Sequence, residues 1–363
     1  MMLAVDGLTH RYGDETAVDD VSFGIDDGEL VALLGPSGCG KTTIVQAIAG
    51  HVRPTAGTVR LRGEGVTADP PEARRVSLVF QRSTLYPHMT VGENVAYGLE
   101  ARGFEPQRRD ELVAEHLELV SLADRHDAYP SELSGGQQRR VELARALAPQ
   151  PDVLLLDEPL SALDRTLRDQ LRDEIARIQR ETGVTTLYVT HDQEDAMALA
   201  DRLVVMNDGA VSATGRPRSL YESPPTPFVA SFLGRSNTFP ATIADEHPLS
   251  LNVGNRVLTL DETETTFSDG TAVTCYVRPE HLSIRAADPG EPVPTIRGDV
   301  TRVVDRGRRY DVWIRTATGD ELVVEQSSEP PAVGDTITVE VPPERLLLFG
   351  PEAGKHTEAS DSR

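Results

Sequence analysis

The sequence predicts an α/β domain built on a parallel sheet, followed by an all-β domain, and three observations carry that expectation. Up to about residue 235, short apolar runs alternate with helical patterns, as strand–helix–strand connections require. From 236 to 350 they give way to short segments of alternating polarity broken by Gly, Pro and Asp, an all-β signature. The length of 363 residues and the 39% hydrophobic content suit two or three domains with cores of their own.

The elements follow in chain order. Leu30–Leu34 is a short buried strand, and Ile44–Ala49 is a helix closed by Gly50. Gln137–Leu147 reads as a second helix and Val153–Leu156 as a second buried strand. Pro224, Pro225 and Pro227 precede the last helical segment of the first part, which places the domain boundary soon after Leu233. In the second part, Arg256–Leu260, Thr271–Val277, Asp311–Arg315 and Thr336–Val341 read as strands. The string VRPEHLSI at 277–284 recurs 64 residues later as VPPERLLL at 341–348, with five positions keeping their type. Two similar β units that complete one another's core are expected. Residues 351–363 are polar and expected to be disordered.

Charge narrows the function. The chain has 58 acidic and 36 basic residues, a formal net charge of −22. Nucleic acid is disfavoured as a partner, because counterion release needs clustered cations. Only Lys41 and Lys355 are lysine, so the other 34 of the 36 cations are arginine. A GC-rich genome explains the missing lysine but not the acid excess. A halophilic source explains both, since salt screens the self-repulsion of such a surface. The melting temperature is expected to rise as KCl goes from low to molar concentration, and a fall would overturn that reading. The longest apolar runs fall far short of the roughly 18 residues of a membrane span. The opening MMLAVDGLTH has neither the basic start nor the apolar core of a signal peptide. Cys39 and Cys275, the only cysteines, exclude a disulfide scaffold and a cysteine zinc site.

The sharpest motif lies between the first strand and the first helix. Gly35, Pro36, Ser37, Gly38, Cys39, Gly40, Lys41 and Thr42 spell GxxxxGK[ST], the phosphate-binding P-loop pattern. Glycines let the backbone curl so that successive N–H groups point at phosphate oxygens, and the helix N-terminus adds a favourable dipole. Lys41 is expected to reach the β and γ phosphates, and Thr42 to offer its hydroxyl to Mg²⁺. A chain that has nearly abandoned lysine keeps one here, where a compact ammonium differs from a guanidinium fork. Further on, Val153–Leu156 runs into Asp157 and Glu158. Asp157 at a strand end can position Mg²⁺ and Glu158 can polarise an attacking water. A strand ending in a plain acidic turn is equally consistent with those residues alone.

Leu133, Ser134, Gly135, Gly136 and Gln137 resolve the alternatives. This LSGGQ pentapeptide, 20 residues or so before the acidic pair, resembles the signature of ABC-type ATPases. The resemblance implies an α/β P-loop NTPase domain over 1–235 with an α-helical subdomain at about 84–150, and a C-terminal all-β, OB-like (TOBE-type) extension over 236–350. It implies that the P-loop residues, Thr43 included, hold ATP with Mg²⁺, and that Ser134, Gly135, Gly136 and Gln137 reach the γ-phosphate bound by a second subunit. Tyr12 is similar to the aromatic that stacks on adenine, although an ordinary surface tyrosine fits its residues as well. Gln81 resembles the glutamine that touches Mg²⁺ and senses a membrane partner, Asp164 of the segment 161–164 resembles the dimer-contact loop, and His191 resembles the switch histidine. The implied roles are Glu158 as base, with Lys41 and His191 stabilising charge, and Thr42, Gln81 and Asp157 around the metal.

The same resemblance implies a homodimer on the cytoplasmic face of the cell membrane. Its direct partners are integral membrane permease subunits gripped through the segment 81–93, and an extracellular solute-binding protein acts indirectly. The implied function is to power solute import, of polyamine, ferric iron, thiamine or an oxyanion, with a sugar as the alternative. An ABC-type ATPase acting on nucleic acid or ribosomes is opposed by the single cassette, the lack of sustained heptads and a net charge of about −9 over 236–350. Two departures stand out. Arg139 replaces a frequent glutamine, beyond the phosphate-contacting residues, so little effect on catalysis is expected from it. Ser83 and Thr84 after the glutamine are also unusual.

Overall fold

The computed structural model describes residues 1–161, 164–253, 256–260, 267–285 and 295–351. Ala162, Leu163 and the tail from 352 onward, on which sequence expectations fell, lie outside the described residues. The chain divides into two compact units, Met1–Ser219 and Leu220–Arg363.

The first unit has β1 (Leu3–Tyr12), β2 (Glu15–Ile25), β3 (Leu30–Leu34), α1 (Lys41–Ala49), β4 (Ala56–Leu61), β5 (Glu64–Gly65) and β6 (Val76–Val79). Next come α2 (Val91–Ala101), α3 (Pro106–Leu119), α4 (Gly135–Leu147), β7 (Val153–Asp157), α5 (Arg165–Thr182), β8 (Thr185–Thr190), α6 (Gln193–Leu199), β9 (Arg202–Asn207) and β10 (Ala210–Gly215). The central sheet has the order β10-β9-β3-β8-β7-β6, parallel except for β10. Its inner strands β3, β7 and β8 are buried along their whole length, which is why Leu30–Leu34 and Val153–Leu156 read as continuous apolar runs rather than alternating ones. A separate antiparallel sheet, β2-β1-β4-β5, shares a core with α1 and the central sheet; Leu3, Val5, Val21, Ile44, Ile48, Leu155 and Val189 meet in it. Strand β1 buries Leu3, Val5, Leu8 and His10, an alternation that changes phase at the bulge between Val5 and Leu8, and leaves the other face more exposed.

Between β6 and β7 the regular elements are all helical, joined by loops. Helices α2 and α4 start on reciprocal capping boxes, Thr90 with Glu93 and Ser134 with Gln137, each box satisfying two otherwise unpaired backbone N–H groups. Asp164 caps α5, accepting from the Leu167 amide at 3.0 Å. Helix α1 differs, since its N-cap Gly40 offers no side chain and its first amides stay open. Its far end is closed by two devices. Gly50 takes the left-handed conformation (φ 86°), and Arg74, 2% exposed, donates to the Ala47 and Ile48 carbonyls at 2.7 Å. A Cβ on Gly50 would sit 2.8 Å from the Arg74 guanidinium, so the glycine also makes room for its partner.

Among the described residues the second unit contains α7 (Pro217–Glu222, which begins just before it), α8 (Pro227–Phe232) and ten strands, β11 (Asn237–Glu246), β12 (Leu249–Val253), β13 (Arg256–Leu260), β14 (Ala272–Val277), β15 (Ser283–Arg285), β16 (Thr295–Asp305), β17 (Tyr310–Thr316), β18 (Glu321–Gln326), β19 (Thr336–Glu340) and β20 (Leu347–Phe349). They form two five-stranded sheets, β13-β12-β11-β14-β20 and β15-β19-β16-β17-β18. The repeated string explains the pairing. Each copy starts at or just past the end of a strand (β14 or β19), makes a one-turn 3₁₀ helix (Pro279–His281 or Pro343–Arg345) and enters a three-residue strand. The short strands are exchanged: β15 pairs with β19, and β20 pairs with β14. One core, with Leu251, Cys275, Leu282, Val312, Val339 and Leu346, takes side chains from both sheets. Arg278, 4% exposed, donates to the carbonyls of Ala230, Gly234 and Arg235 and to the Ser236 hydroxyl, and its guanidinium lies 4.2 Å from the Tyr221 ring. The Asn237 amide pairs with both backbone groups of Val323, acting as one more rung of strand.

Candidate nucleotide site

The parallel strands all discharge at one edge. Register aligns Leu34 with Thr190, Asp157 with Val189 and Val79 with Leu156. The segments that follow β3, β6, β7 and β8 therefore emerge side by side, at the carboxyl edge where open α/β sheets bind ligands. Those segments carry Gly35–Lys41, Gln81, Glu158 and His191.

The loop after β3 is built from backbone constraints. Gly38 and Gly40 have φ of 84° and 97°, and Gly40 opens α1 directly. A Cβ on Gly40 would lie 2.4 Å from the Ala17 carbonyl oxygen of β2, and one on Gly35 would lie 2.6 Å from the Cys39 sulfur and 2.7 Å from the Met206 oxygen. Only glycine fits at either place. Ser37 and Gly38 are exposed, Thr42 is exposed at the start of α1, and Thr43 and Cys39 are buried. Burial pushes the Cys39 thiol up, against the pull of Lys41. Lys41 is 6% exposed, and its ammonium donates to the Gly35 and Pro36 carbonyls at 2.8 and 2.7 Å. A lysine tethered to its own loop reaches a phosphate by exchanging short bonds, not by searching from solvent.

Asp157 ends β7, 9% exposed, and its Oδ1 is buried without a hydrogen-bond partner. Burial and the neighbouring Glu158 push its carboxyl up, while Lys41 and Arg139 act the other way. An orphaned buried carboxylate oxygen fits a cation. Among the described residues no group of three or more His, Cys, Asp or Glu is placed to hold a metal alone.

Glu158 has φ of 47°, in the left-handed region that costs a non-glycine residue of the order of 1–2 kcal/mol. Its amide still pairs with the Val189 carbonyl at 2.9 Å, so the turn is anchored to β8. Its carboxylate is bracketed. His191 Nδ1 lies 3.0 Å from Oε1, and the Gln81 amide donates to Oε2 at 3.2 Å. The Gln81 amide also reaches the Ser161 hydroxyl at 3.1 Å, and that hydroxyl donates to the Glu158 carbonyl. The segments after β6, β7 and β8 thus meet around one carboxylate.

Tyr12, the 134–137 segment and Asp164 stand outside this cluster. Tyr12 is 51% exposed at the end of β1, with its ring edge-on to the buried His10 at 4.5 Å. Ser134 and Gly135 are exposed at the head of α4, while Gly136 is buried against Leu167 of α5, where a Cβ would meet the leucine at 2.7 Å. The Asp164 carboxylate serves as the α5 cap.

Sequence reasoning missed the residues that shape the loop after Gln81. Asn94, fully buried on α2, accepts from the Tyr86 amide at 2.8 Å and donates to the carbonyls of Tyr86, Met89 and Thr90. Leu85, Tyr86 and Met89 are left half-buried, with Tyr86 packed between Tyr97 (4.7 Å between ring centroids) and Arg145. A lone asparagine inside an apolar-periodic helix was the available signal.

A glycine cradle opening a helix at the carboxyl edge of a parallel sheet, beside a strand ending in Asp-Glu, defines a P-loop ATPase. Comparison with known proteins specifies it further. Residues 18–161 match the ABC transporter family, and residues 275–349 match the TOBE domain family. The chain is 44% identical over 351 residues to the spermidine/putrescine import ATP-binding protein PotA of Thermobifida fusca (strain YX), covering 94% of this chain and 91% of that one. It is 42% identical over 359 residues to the protein of the same name from Acidothermus cellulolyticus, covering 97% and 92%. It is 41% identical over 358 residues to the sulfate/thiosulfate import ATP-binding protein CysA 2 of Chromobacterium violaceum, covering 97% and 96%. The chain belongs to the ABC transporter family, as an ATP-binding, ATP-hydrolysing protein with a C-terminal TOBE domain.

Proposed function

We propose that two copies of this chain, arranged head to tail, enclose two molecules of Mg·ATP and drive import through membrane permease subunits on the cytoplasmic side. The carrying observation is the bracketed carboxylate: Glu158 lies between His191 and Gln81, at the strand edge that also presents Lys41. In this reading Glu158 takes the proton of the attacking water, and His191 and Lys41 offset charge on the transferring phosphoryl group. Thr42, Asp157 and Gln81 would hold Mg²⁺, whose chemistry is to neutralise charge on the β and γ oxygens. Tyr12 offers its exposed ring to the base. Ser134, Gly135 and Gln137 would present the open start of α4 to the nucleotide of the second copy, and Asp164 and its neighbours would line the contact between copies.

Among the described residues no helix is long and apolar enough to cross a membrane, so in this reading the pore is a separate chain. Leu85, Tyr86 and Met89 on the Asn94-shaped loop are the apolar contacts offered to it. We place the ATPase domain at 1–235 and the β extension at 236–350. The cargo proposed is a polyamine, on the strength of the relatives' names. An oxyanion is the second reading, supported by the 41% likeness to the sulfate/thiosulfate protein.

Reconstitution with the permease and solute-binding protein encoded beside it is the test. ATP hydrolysis is expected to rise on adding the binding protein loaded with spermidine or putrescine. Stimulation by sulfate instead selects the second reading, and copurified nucleic acid in place of a permease would sink both.

A further inference from the structure

We infer that Arg139 and Glu142 form a buried ionic clamp that ties the start of the Gln81 loop to helix α4, making both of them positioning residues for ATP hydrolysis. The inference rests on Gln81 acting at the nucleotide site, as proposed above.

Arg139, Glu142 and Arg145 stand three residues apart, on one face of α4. All three reach the same segment of another element. The Arg139 Nη1 donates to the Phe80 carbonyl and to Glu142 Oε2, both at 2.6 Å. Glu142 Oε1 accepts from the Thr84 amide at 2.6 Å. Arg145 donates to the Thr84 carbonyl at 2.8 Å and to its hydroxyl at 2.6 Å. Gln81 is therefore held from both sides: the residue before it hangs on Arg139, and Thr84, three residues after it, on Glu142 and Arg145. Helix α4 is also the helix that begins with Ser134 and Gly135. A displacement of α4 is passed to the Gln81 amide, and through it to Oε2 of Glu158, over short charge-assisted bonds.

Stability alone gives a poor account of this pair. Arg139 and Glu142 are 6% and 2% exposed, and burying two opposite charges is often no better than burying apolar side chains of similar volume. The Nε and Nη2 groups of Arg139 are moreover buried without hydrogen-bond partners among the described residues. Leaving donors unpaired in the interior carries a desolvation cost that a filler residue would avoid. What the pair supplies is direction, since the fork sets the Phe80 carbonyl and the Glu142 carboxylate at fixed angles.

The test compares the parent chain with Arg139→Gln/Glu142→Ala, which removes both charges together and leaves neither stranded. Arg139→Lys, which keeps the charge but replaces the planar guanidinium with a shorter side chain ending in a tetrahedral ammonium, serves as a second variant and keeps the test alive if the double variant does not fold. Hydrogen exchange is followed peptide by peptide, and steady-state ATPase is measured in parallel. In the double variant, exchange in the peptide spanning 80–86 is expected to accelerate about tenfold while that of β7 stays parental. Its kcat is expected to fall about tenfold, with KM for ATP within about twofold. Arg139→Lys is expected to fall between the double variant and the parent on both readouts. A folded variant with parental exchange at 80–86 overturns the clamp, and accelerated exchange with parental kcat overturns its positioning role. Gln81→Ala is run beside them. If it turns over like the parent, the role proposed for Gln81 fails, while the exchange data still decide whether the clamp exists.

Discussion

Replacing Glu158 by Gln is expected to lower kcat at least about a hundredfold while leaving the Kd for ATP within about threefold, because a positioned general base contributes ~10²–10⁴ to such a reaction. The substitution is nearly isosteric. The backbone at 158 keeps its left-handed turn and its bond to the Val189 carbonyl, and the new side-chain oxygen can still accept from Gln81 at the place of the present 3.2 Å contact. What disappears is the carboxylate that faces His191 at 3.0 Å and, on the proposed mechanism, takes the proton. A binding loss as large as the rate loss would mean that Glu158 holds nucleotide and does not act as base. Single-turnover measurements with saturating protein separate the two. On the proposed sandwich, the variant should also elute with ATP as a species of twice the parental mass, and elution as a monomer at saturating Mg·ATP would count against the dimer.

Lys41→Ala has the opposite signature. An ammonium contact to phosphate is worth about 1.5–3 kcal/mol, so its loss should weaken ATP binding roughly ten- to two-hundredfold. Burial pushes towards the upper end: Lys41 is 6% exposed, so its charge is poorly screened. Its removal also strands the Gly35 and Pro36 carbonyls that it now caps. Lys41→Arg isolates the chemistry from the charge, because a guanidinium keeps the charge but does not fit a space that receives three ammonium donors. Filter binding of labelled ATP reads both variants, and parental affinity in Lys41→Ala would remove the P-loop assignment.

The halves of the site were unequally legible. The P-loop is a local device, in which a left-handed glycine, an uncapped helix start and a short buried strand follow one another within 20 residues, and each needs only its neighbours. The Leu30–Leu34 strand and the helix end at Gly50 came out as expected for that reason. The Glu158 cluster is different. Gln81 and Glu158 are 77 residues apart, and Glu158 and His191 are 33 apart, so no periodicity links them. They were assigned through likeness to a family, and their meeting follows from three parallel strands ending at one level.

The β extension shows the same division. The repeat of VRPEHLSI as VPPERLLL was visible in the chain and implied two related units. That β15 and β20 change places between sheets was not, because strand exchange is decided by which edge is open once the long strands have paired. The antiparallel sheet of β1, β2, β4 and β5 also escaped notice. Bulges at Asp6–Thr9 and Val5–Leu8 break its alternation, so the pattern of period two is lost where the register shifts.

Composition and local pattern by themselves determined the class of chemistry: a phosphate cradle, an acidic strand end, a net charge of −22 that disfavours nucleic acid, and an all-β second part. Tertiary structure alone decided how the parts are joined. Arg139, which reads in sequence as a neutral departure beyond the phosphate contacts, is buried and bonded to the carbonyl before Gln81. Asn94, unremarked in its helix, holds the loop after Gln81. The physical reason is common to both. A hydrogen bond between distant segments leaves no periodic trace in either, and it exists only after hydrophobic burial has brought them within 3 Å.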